Sequence, residues 1–491
     1  MDLYGAGCCN NSNERSSKKL HVLMFPWLAR GHLSTYAQLA NRLADRGINV
    51  SFLTTPLNVP KMEPLFIMAN RNSPGKVQVV ELPLPAVEGF PPGIECTADT
   101  PAHLWPLLLR AVHLLEEPFE SLLRRLAPDV VVFDLVQYWT PRVATKLGIP
   151  TVFFLIFGAA YSSYQLSPPN AEYGEEITAE DLMVPPPGYP SSTISWRPFE
   201  AQFTFKIFHT RDDTDGMRGI DRLVKCIDGC EAIAIKSCYE FEGKFIEYFQ
   251  QVTGKPVIPV GPLLQSNAGP LDSECLKWLG RQAASSVVYA CFGTECFLSN
   301  EEIREVALGL EASGHPFILV LRFAGHRDSS TSLPEAFEGR IRDRGLVLTD
   351  WAPQKEILSH PSTGAFLTHC GWSSLTEGMS VGLPLIALPM QWDQGLNARL
   401  IVNELKVGVE VARRGDGAAS REDICRAVRA VMAPEDGEEG KDVRQRASQM
   451  GDMFRRTILN GESKGSEERY IDKFVQHLLA LATDKGGHGC H

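Results

Sequence analysis

Positive charge is in short supply in this 491-residue chain. Lys and Arg number 48 against 59 Asp and Glu, a formal net charge of −11 at pH 7. That balance argues against nucleic acid or an anionic membrane surface as partner and leaves room only for a local basic pocket. Long apolar runs are lacking as well. No stretch of about 18 apolar residues occurs, so no transmembrane helix is expected. The opening "MDLYGAGCCNNSNERSSKK" is polar and has no apolar core of signal-peptide length. A cytoplasmic protein is the resulting expectation. Paired cysteine spacing is absent too. The twelve Cys are scattered, and some, such as Cys291 and Cys370, sit inside apolar runs. They read as small buried hydrophobes in a reducing compartment, not as a disulfide scaffold. "GGHGCH" at 486–491 reads as a polar tail and not as a metal site. Finally, "GAGCCN" at 5–10 follows no strand, which makes it a poor dinucleotide fingerprint, and no Walker-type loop appears.

What is present is a repeated α/β rhythm. "HVLMF" (21–25) has strand composition, "LSTYAQLANRLADRG" (33–47) has helical apolar spacing closed by Gly47, and "INVSFLTT" (48–55) is a second strand. Strand, helix and strand within about 35 residues define a βαβ unit and hence a parallel sheet. The runs at 77–84, 129–134 and 151–157 continue it, with a helical stretch at 104–126. Residues 166–219 read as a long irregular excursion rich in Pro, Gly and polar residues. "GKPVIPVGPLLQSNAGPLDSE" (254–274) reads as the boundary between two halves. After it the rhythm restarts with strands at 286–293, 316–322, 345–350, 364–370 and 384–389. A Ser299–Glu302 capping box opens a helix over 299–314. The expected fold is therefore α/β, with two doubly wound Rossmann-like domains facing a cleft. In such sheets ligands sit beyond the carboxyl ends of the strands.

One corner is unusually dense in hydrogen-bonding groups. "THCGWSSLTEG" (368–378) reads as a strand end, a turn and a helix start. A helix N-terminus offers free N–H groups and a positive dipole end, so this corner suits phosphate. Taken alone, Ser374 and Glu377 would be a plain capping box. In context, "WAPQKEILSHPSTGAFLTHCGWSSLTEGMSVGLPLIALPMQWDQ", from Trp351 to Gln394, resembles the signature box of the plant family 1 UDP-sugar-dependent glycosyltransferases, which have the GT-B fold. Weaker resemblance covers nearly the whole chain, from "PWLARGH" to "ERYIDKFVQHLL".

The resemblance implies a role for each position. Trp351 stacks on uracil; Gln354 and Glu377 hold the ribose hydroxyls; His369, Ser374 and the N–H groups near 372–374 hold the diphosphate. Thr294 bonds a phosphate oxygen, and Trp372, Asp393 and Gln394 touch the sugar. Ala352, Gly371 and Ser373 complete the UDP-sugar positions. A helix dipole and fixed donors would stabilise the departing UDP without a metal or other cofactor. His32, expected in the loop after the first strand, matches the family's catalytic base, and Asp134, after the fourth, matches its partner. An imidazole suits proton abstraction near neutral pH, and an Asp on one ring nitrogen fixes the tautomer. With no carboxylate placed as nucleophile, single displacement with inversion is expected. The donor preference is glucose, with rhamnose, xylose and galactose open.

Aromatic residues Trp27, Phe90, Tyr138, Trp139, Tyr161 and Trp196 are the candidates for the acceptor site. "FPWLARGH", "GTE" with Glu295 and "VPPPGYPSS" resemble the branch that glycosylates the sugar of a flavonoid or terpenoid glycoside. Direct O-glucosylation of an aglycone is the alternative. The rivals outside this class are a metal-dependent transferase using "DDTD" (212–215) and a UDP-sugar-binding protein without turnover. Two departures from the family stand out. Ser373 replaces the usual Asn after "HCGW", and "GHLST" lacks the usual Pro, so that Ser34 or Thr35 is expected to cap the helix. The expected organisation is a disordered tail at 1–18, an acceptor domain at 19–258, a UDP-sugar domain at 259–460 and a terminal helix at 461–483 packing back on the first domain. A monomer is expected, with small-molecule glycoside and UDP-sugar as the partners.

Overall fold

The structure, a computed structural model, describes residues 19–167, 177–211, 216–264, 274–323, 332–432, 438–459 and 466–484. The two nested readings at the chain ends, the 1–18 tail and "GGHGCH", lie outside the described residues, as does "DDTD".

Two parallel sheets carry the fold. The first has seven strands in the order β3-β2-β1-β4-β5-β6-β7. They are β1 (His21–Phe25), β2 (Asn49–Thr54), β3 (Val77–Glu81), β4 (Val130–Phe133), β5 (Thr151–Leu155), β6 (Ala232–Ile235) and β7 (Val257–Pro259). The second has six strands in the order β10-β9-β8-β11-β12-β13. They are β8 (Val287–Cys291), β9 (Phe317–Val320), β10 (Gly345–Leu348), β11 (Thr363–Thr368), β12 (Leu385–Ala387) and β13 (Gly408–Glu410). Central strands β4, β5, β6 and β8 are buried along their whole length. Both faces of a parallel sheet are covered by crossover helices, which is why these strands read as unbroken apolar runs. In both sheets the order reverses beside the first strand, and the chain segments leaving the strands' carboxyl ends there are the ones that build the site.

The capping box at Ser299 is present: its hydroxyl accepts from Glu302 N at 3.2 Å and its N–H donates to Glu302 Oε2 at 2.8 Å. Four sequence expectations need correction. The first helix runs Arg30–Ala44, three residues earlier than its apolar spacing indicates. His32 therefore stands in a helical first turn and not in a loop, and neither Ser34 nor Thr35 caps it. The 104–126 stretch is two helices, Trp105–His113 and Glu116–Leu126. The irregular excursion contains a helix, Pro198–Phe208. The boundary segment contains β7, whose apolar residues were masked by flanking Pro and Gly.

The terminal helix, Ser466–Asp484, places Ile471, Phe474 and Leu478 in the core of the first sheet's outer face. Arg46, just past the end of the first helix, pairs with Asp472 of the terminal helix at 2.7 Å. Nine described cysteines are free, and eight of them are buried. Among the described residues no helix is long and apolar enough to cross a membrane.

Candidate active site

The carboxyl edges of the two sheets face each other across a cavity of about 1010 Å³. On the first edge, His32 lines the cavity and Asp134 stands behind it, fully buried. Asp134 follows β4, so the sheet register aims its carboxylate at the chain leaving β1. His32 Nδ1 lies 2.7 Å from Asp134 Oδ2. The carboxylate also accepts from Trp27 N at 2.9 Å and Leu135 N at 2.8 Å. With a carboxylate as partner, Nδ1 carries the proton and Nε2 is the basic nitrogen.

The second edge carries the box. Thr294 follows β8, and His369, Cys370 and Gly371 turn from β11 into the helix Trp372–Val381. Cys370 adopts φ 67°, a left-handed conformation tolerated here at the turn into the helix. His369 is wedged between two glycines: a Cβ on Gly293 or Gly371 would come within 2.7 or 2.6 Å of its Nε2. Burial pushes the His369 imidazole down to about 4, so at neutral pH it is an uncharged hydrogen-bonding group. The helix has no side-chain cap and no acidic residue in its first turn.

Glu377, one turn further, accepts from Gln354 Nε2 at 2.7 Å. Tyr289 donates its hydroxyl to Gln354 Oε1 at 3.3 Å. Burial raises the Glu377 carboxyl above its ordinary value, against the opposing pull of Gln354 and Lys236. Trp351 is 62% exposed, an open apolar plate at the cavity rim, with the Arg322 guanidinium 5.9 Å from its ring centre. Such a ring presents a face for a planar base.

Asp393 and Gln394 line the same cavity. Burial pushes the Asp393 carboxyl up to about 7, although Asn397 Nδ2 donates to it at 2.7 Å. Gln394 Oε1 accepts from Met390 N and Gln391 N, each at 2.9 Å, which leaves its amide nitrogen for other partners. The Trp372 indole is engaged elsewhere: its Nε1 donates to Lys236 O at 2.6 Å and its ring packs on Phe241.

All twelve UDP-sugar candidates therefore line this one cavity, from Thr294, Ala352 and Gly371 to Ser373 and Ser374. The acceptor candidates divide. Trp27 and Tyr161 line the cavity. Phe90, Tyr138, Trp139 and Trp196 do not; Trp139 packs against Phe25 and Phe119 in the core, and Trp196 supports Tyr161 from behind. Amphipathic rings are as useful to a core as to a ligand, so composition alone could not separate the two. The aromatic wall that sequence reasoning missed is Trp105 and Trp392, stacked with ring centres 6.2 Å apart, beside Phe208. Trp392 sits inside the box, between residues already singled out. Lys236 was missed too, although a lone Lys closing the apolar run "AIAIK" is an unusual strand end. Among the described residues no three His, Cys, Asp or Glu side chains converge as a metal site requires.

Comparison with known proteins agrees with this architecture. Residues 18–187 match the family "Glycosyltransferase, N-terminal domain", and residues 240–440 match "UDP-glucoronosyl and UDP-glucosyl transferase". The chain belongs to the plant family 1 UDP-glycosyltransferases and is a UDP-glycosyltransferase of the GT-B fold. An anthocyanidin-3-O-glucoside rhamnosyltransferase of Petunia hybrida is 36% identical over 484 residues, covering 96% of this chain and 98% of the relative. A cyanidin 3-O-galactoside 2''-O-xylosyltransferase of Actinidia chinensis var. chinensis is 38% identical, covering 94% and 98%. The crystal structure of Glycyrrhiza uralensis UGT73P12 complexed with glycyrrhetinic acid 3-O-monoglucuronide superposes with a TM-score of 0.79 at 26% identity, covering 96% and 97%.

Proposed function

We propose that this enzyme transfers a sugar, glucose first among the candidates, from its UDP-sugar to a hydroxyl on the sugar of a flavonoid or terpenoid glycoside, with inversion. The observation that carries the reading is the His32–Asp134 pair at 2.7 Å, set in the wall of the same cavity as the Trp351–Gln394 box. In this reading His32 Nε2 takes the proton of the incoming hydroxyl. Asp134 holds the ring and stabilises the imidazolium that forms. The oxygen attacks the anomeric carbon from the face opposite UDP, so an α-linked donor gives a β-glycoside. Uracil lies on Trp351, the ribose hydroxyls meet Gln354 and Glu377, and the diphosphate meets Thr294, His369, Ser374 and the open N–H groups of the Trp372 helix. Charge growing on the leaving phosphate is stabilised by donors already in place. Asp393 and Gln394 read the sugar hydroxyls.

A glycoside acceptor is favoured by the relatives, two of which carry names that specify transfer to an anthocyanidin or cyanidin glycoside. The stacked Trp105–Trp392 pair offers a surface of the kind that holds a sugar face or a polyphenol. Their names also specify rhamnose and xylose, so the donor is tested across a panel. The decisive experiment offers UDP-glucose, UDP-rhamnose, UDP-xylose and UDP-galactose with an aglycone and with its monoglucoside. Product from the monoglucoside, β-linked when UDP-glucose is used, is the expected result. Product from the aglycone alone overturns the choice of acceptor, and no product from any pair overturns turnover itself. Activity that survives a strong chelator is expected of a metal-free mechanism.

A further inference from the structure

We infer that the Lys236 ammonium, supplied by the first half of the chain, is a ligand of the diphosphate in the donor site of the second half. The inference rests on the UDP-sugar reading above. Lys236 directly follows β6, at the cavity edge of the first sheet, and its side chain lines the cavity although the residue is only 2% exposed. Its Nζ lies 2.7 Å from Ser373 Oγ. Its backbone carbonyl accepts from Trp372 Nε1 at 2.6 Å. Both ends of the residue are thus held on the first turn of the helix that presents open N–H groups to the cavity.

What Lys236 lacks is a close anion. Among the described residues its hydrogen-bond acceptor is the neutral Ser373 hydroxyl, one partner for three donors. Two carboxylates act on it from farther away, Glu377 on the Trp372 helix and Glu467 on the terminal helix. Each is engaged by another donor: Gln354 at 2.7 Å for Glu377 and Arg42 at 3.2 Å for Glu467. A buried ammonium without a counter-ion is unfavourable, and burial accordingly pushes Lys236 down to about 8. Structures keep such a charge where a ligand completes it. A diphosphate oxygen at this corner would supply the missing anion. The two spare Nζ protons and the helix N–H groups would then converge on one group. Ser373 fits this account. The family box usually carries Asn there, and the shorter hydroxyl brings an acceptor to Nζ.

The test is calorimetry of the full chain with UDP and, separately, with uridine. Lys236→Met is expected to weaken UDP about 10–100-fold, the range for a lost charged hydrogen bond, while uridine binding stays within about twofold. Lys236→Arg keeps the charge and is expected to hold UDP within a few-fold of wild type. If Lys236→Met fails to fold, Lys236→Gln is measured by the same UDP-to-uridine ratio. A variant that weakens UDP and uridine equally, or neither, makes Lys236 a packing residue of the domain interface and overturns the inference. Wild-type protein that binds no UDP overturns instead the UDP-sugar reading on which it rests.

Discussion

Two helices aim their N-termini at the same cavity, and the protein treats them in opposite ways. The His32 helix has its first N–H, that of Arg30, bonded to Glu295 Oε1 at 3.0 Å, and the same oxygen accepts from Thr97 Oγ1 at 2.9 Å. The Trp372 helix has no acid in its first turn and no side-chain cap. A helix N-terminus attracts an anion either way. In the first case the anion is internal, and it fastens the two halves together beside His32. In the second no internal acid or side-chain cap meets the N–H groups. The traffic across the cleft is reciprocal. Glu295, from the second half, caps a helix of the first. Lys236, from the first half, sits on a helix of the second.

The contrast is broken most severely at His32, the proposed base. His32→Ala is expected to lower turnover by roughly 10²–10⁴-fold, the usual worth of a general base, while UDP affinity measured by calorimetry stays at the wild-type value. Turnover close to wild type would remove His32 from the mechanism. Next in size is a substitution that makes the open helix resemble the closed one. Ser373→Asp places a carboxylate beside Lys236 Nζ and the free N–H groups. It is expected to leave the melting temperature unchanged or raised and to weaken UDP by about 100-fold, because like charges across a site cost several kcal/mol. Undiminished UDP binding by this variant would mean that the helix end is not the diphosphate site.

How much of this was legible in the sequence depends on whether the relevant neighbours are close along the chain. The box is contiguous from Trp351 to Gln394, and its strand–turn–helix context could be read directly. β1, β2, β4, β5, β8 and β11 announced themselves as apolar runs because the parallel sheets bury both of their faces. The start of the His32 helix was misread because its cap comes from Glu295, 265 residues away, and no local Ser, Thr or Asp marks it. β7 is a three-residue strand whose apolar residues are interrupted by Pro and Gly, and β13 is a three-residue strand that contains a Gly and a Glu, so neither stands out as an apolar run. Lys236 and the Trp105–Trp392 pair become meaningful only after the halves close, since each gains its partner from the other half. Trp139 and Trp196 illustrate the reverse error: aromatic residues near a functional segment that the core absorbed.

A milder change sharpens the distinction between ribose and diphosphate contacts. Glu377→Gln keeps the shape and the Gln354 neighbour but removes a carboxylate from the proposed ribose contacts. UDP and uridine are expected to weaken together, by about tenfold, since both carry the ribose and one charged hydrogen bond is at stake. The same pair of titrations separates the two ligands for Lys236→Met. The two residues are therefore assigned to different parts of one donor by a single ratio, and a UDP-specific loss for Glu377→Gln would place its carboxylate nearer the phosphates.

The smallest effect is expected at the closed helix. Glu295→Ala removes an acid from the N-terminus of the His32 helix and a contact between the halves. Helix-terminal charges of this kind are worth about 0.3–1 kcal/mol, so turnover is expected to fall only about two- to fivefold and UDP affinity to stay within twofold. Glu295→Gln retains an acceptor for Arg30 N and Thr97 Oγ1 and is expected to recover most of the loss, which distinguishes a capping role from a charge role. A loss as large as that of His32→Ala would show instead that Glu295 acts on the reacting groups. The internal anion would then be part of the chemistry, and the two helix ends would be alike after all.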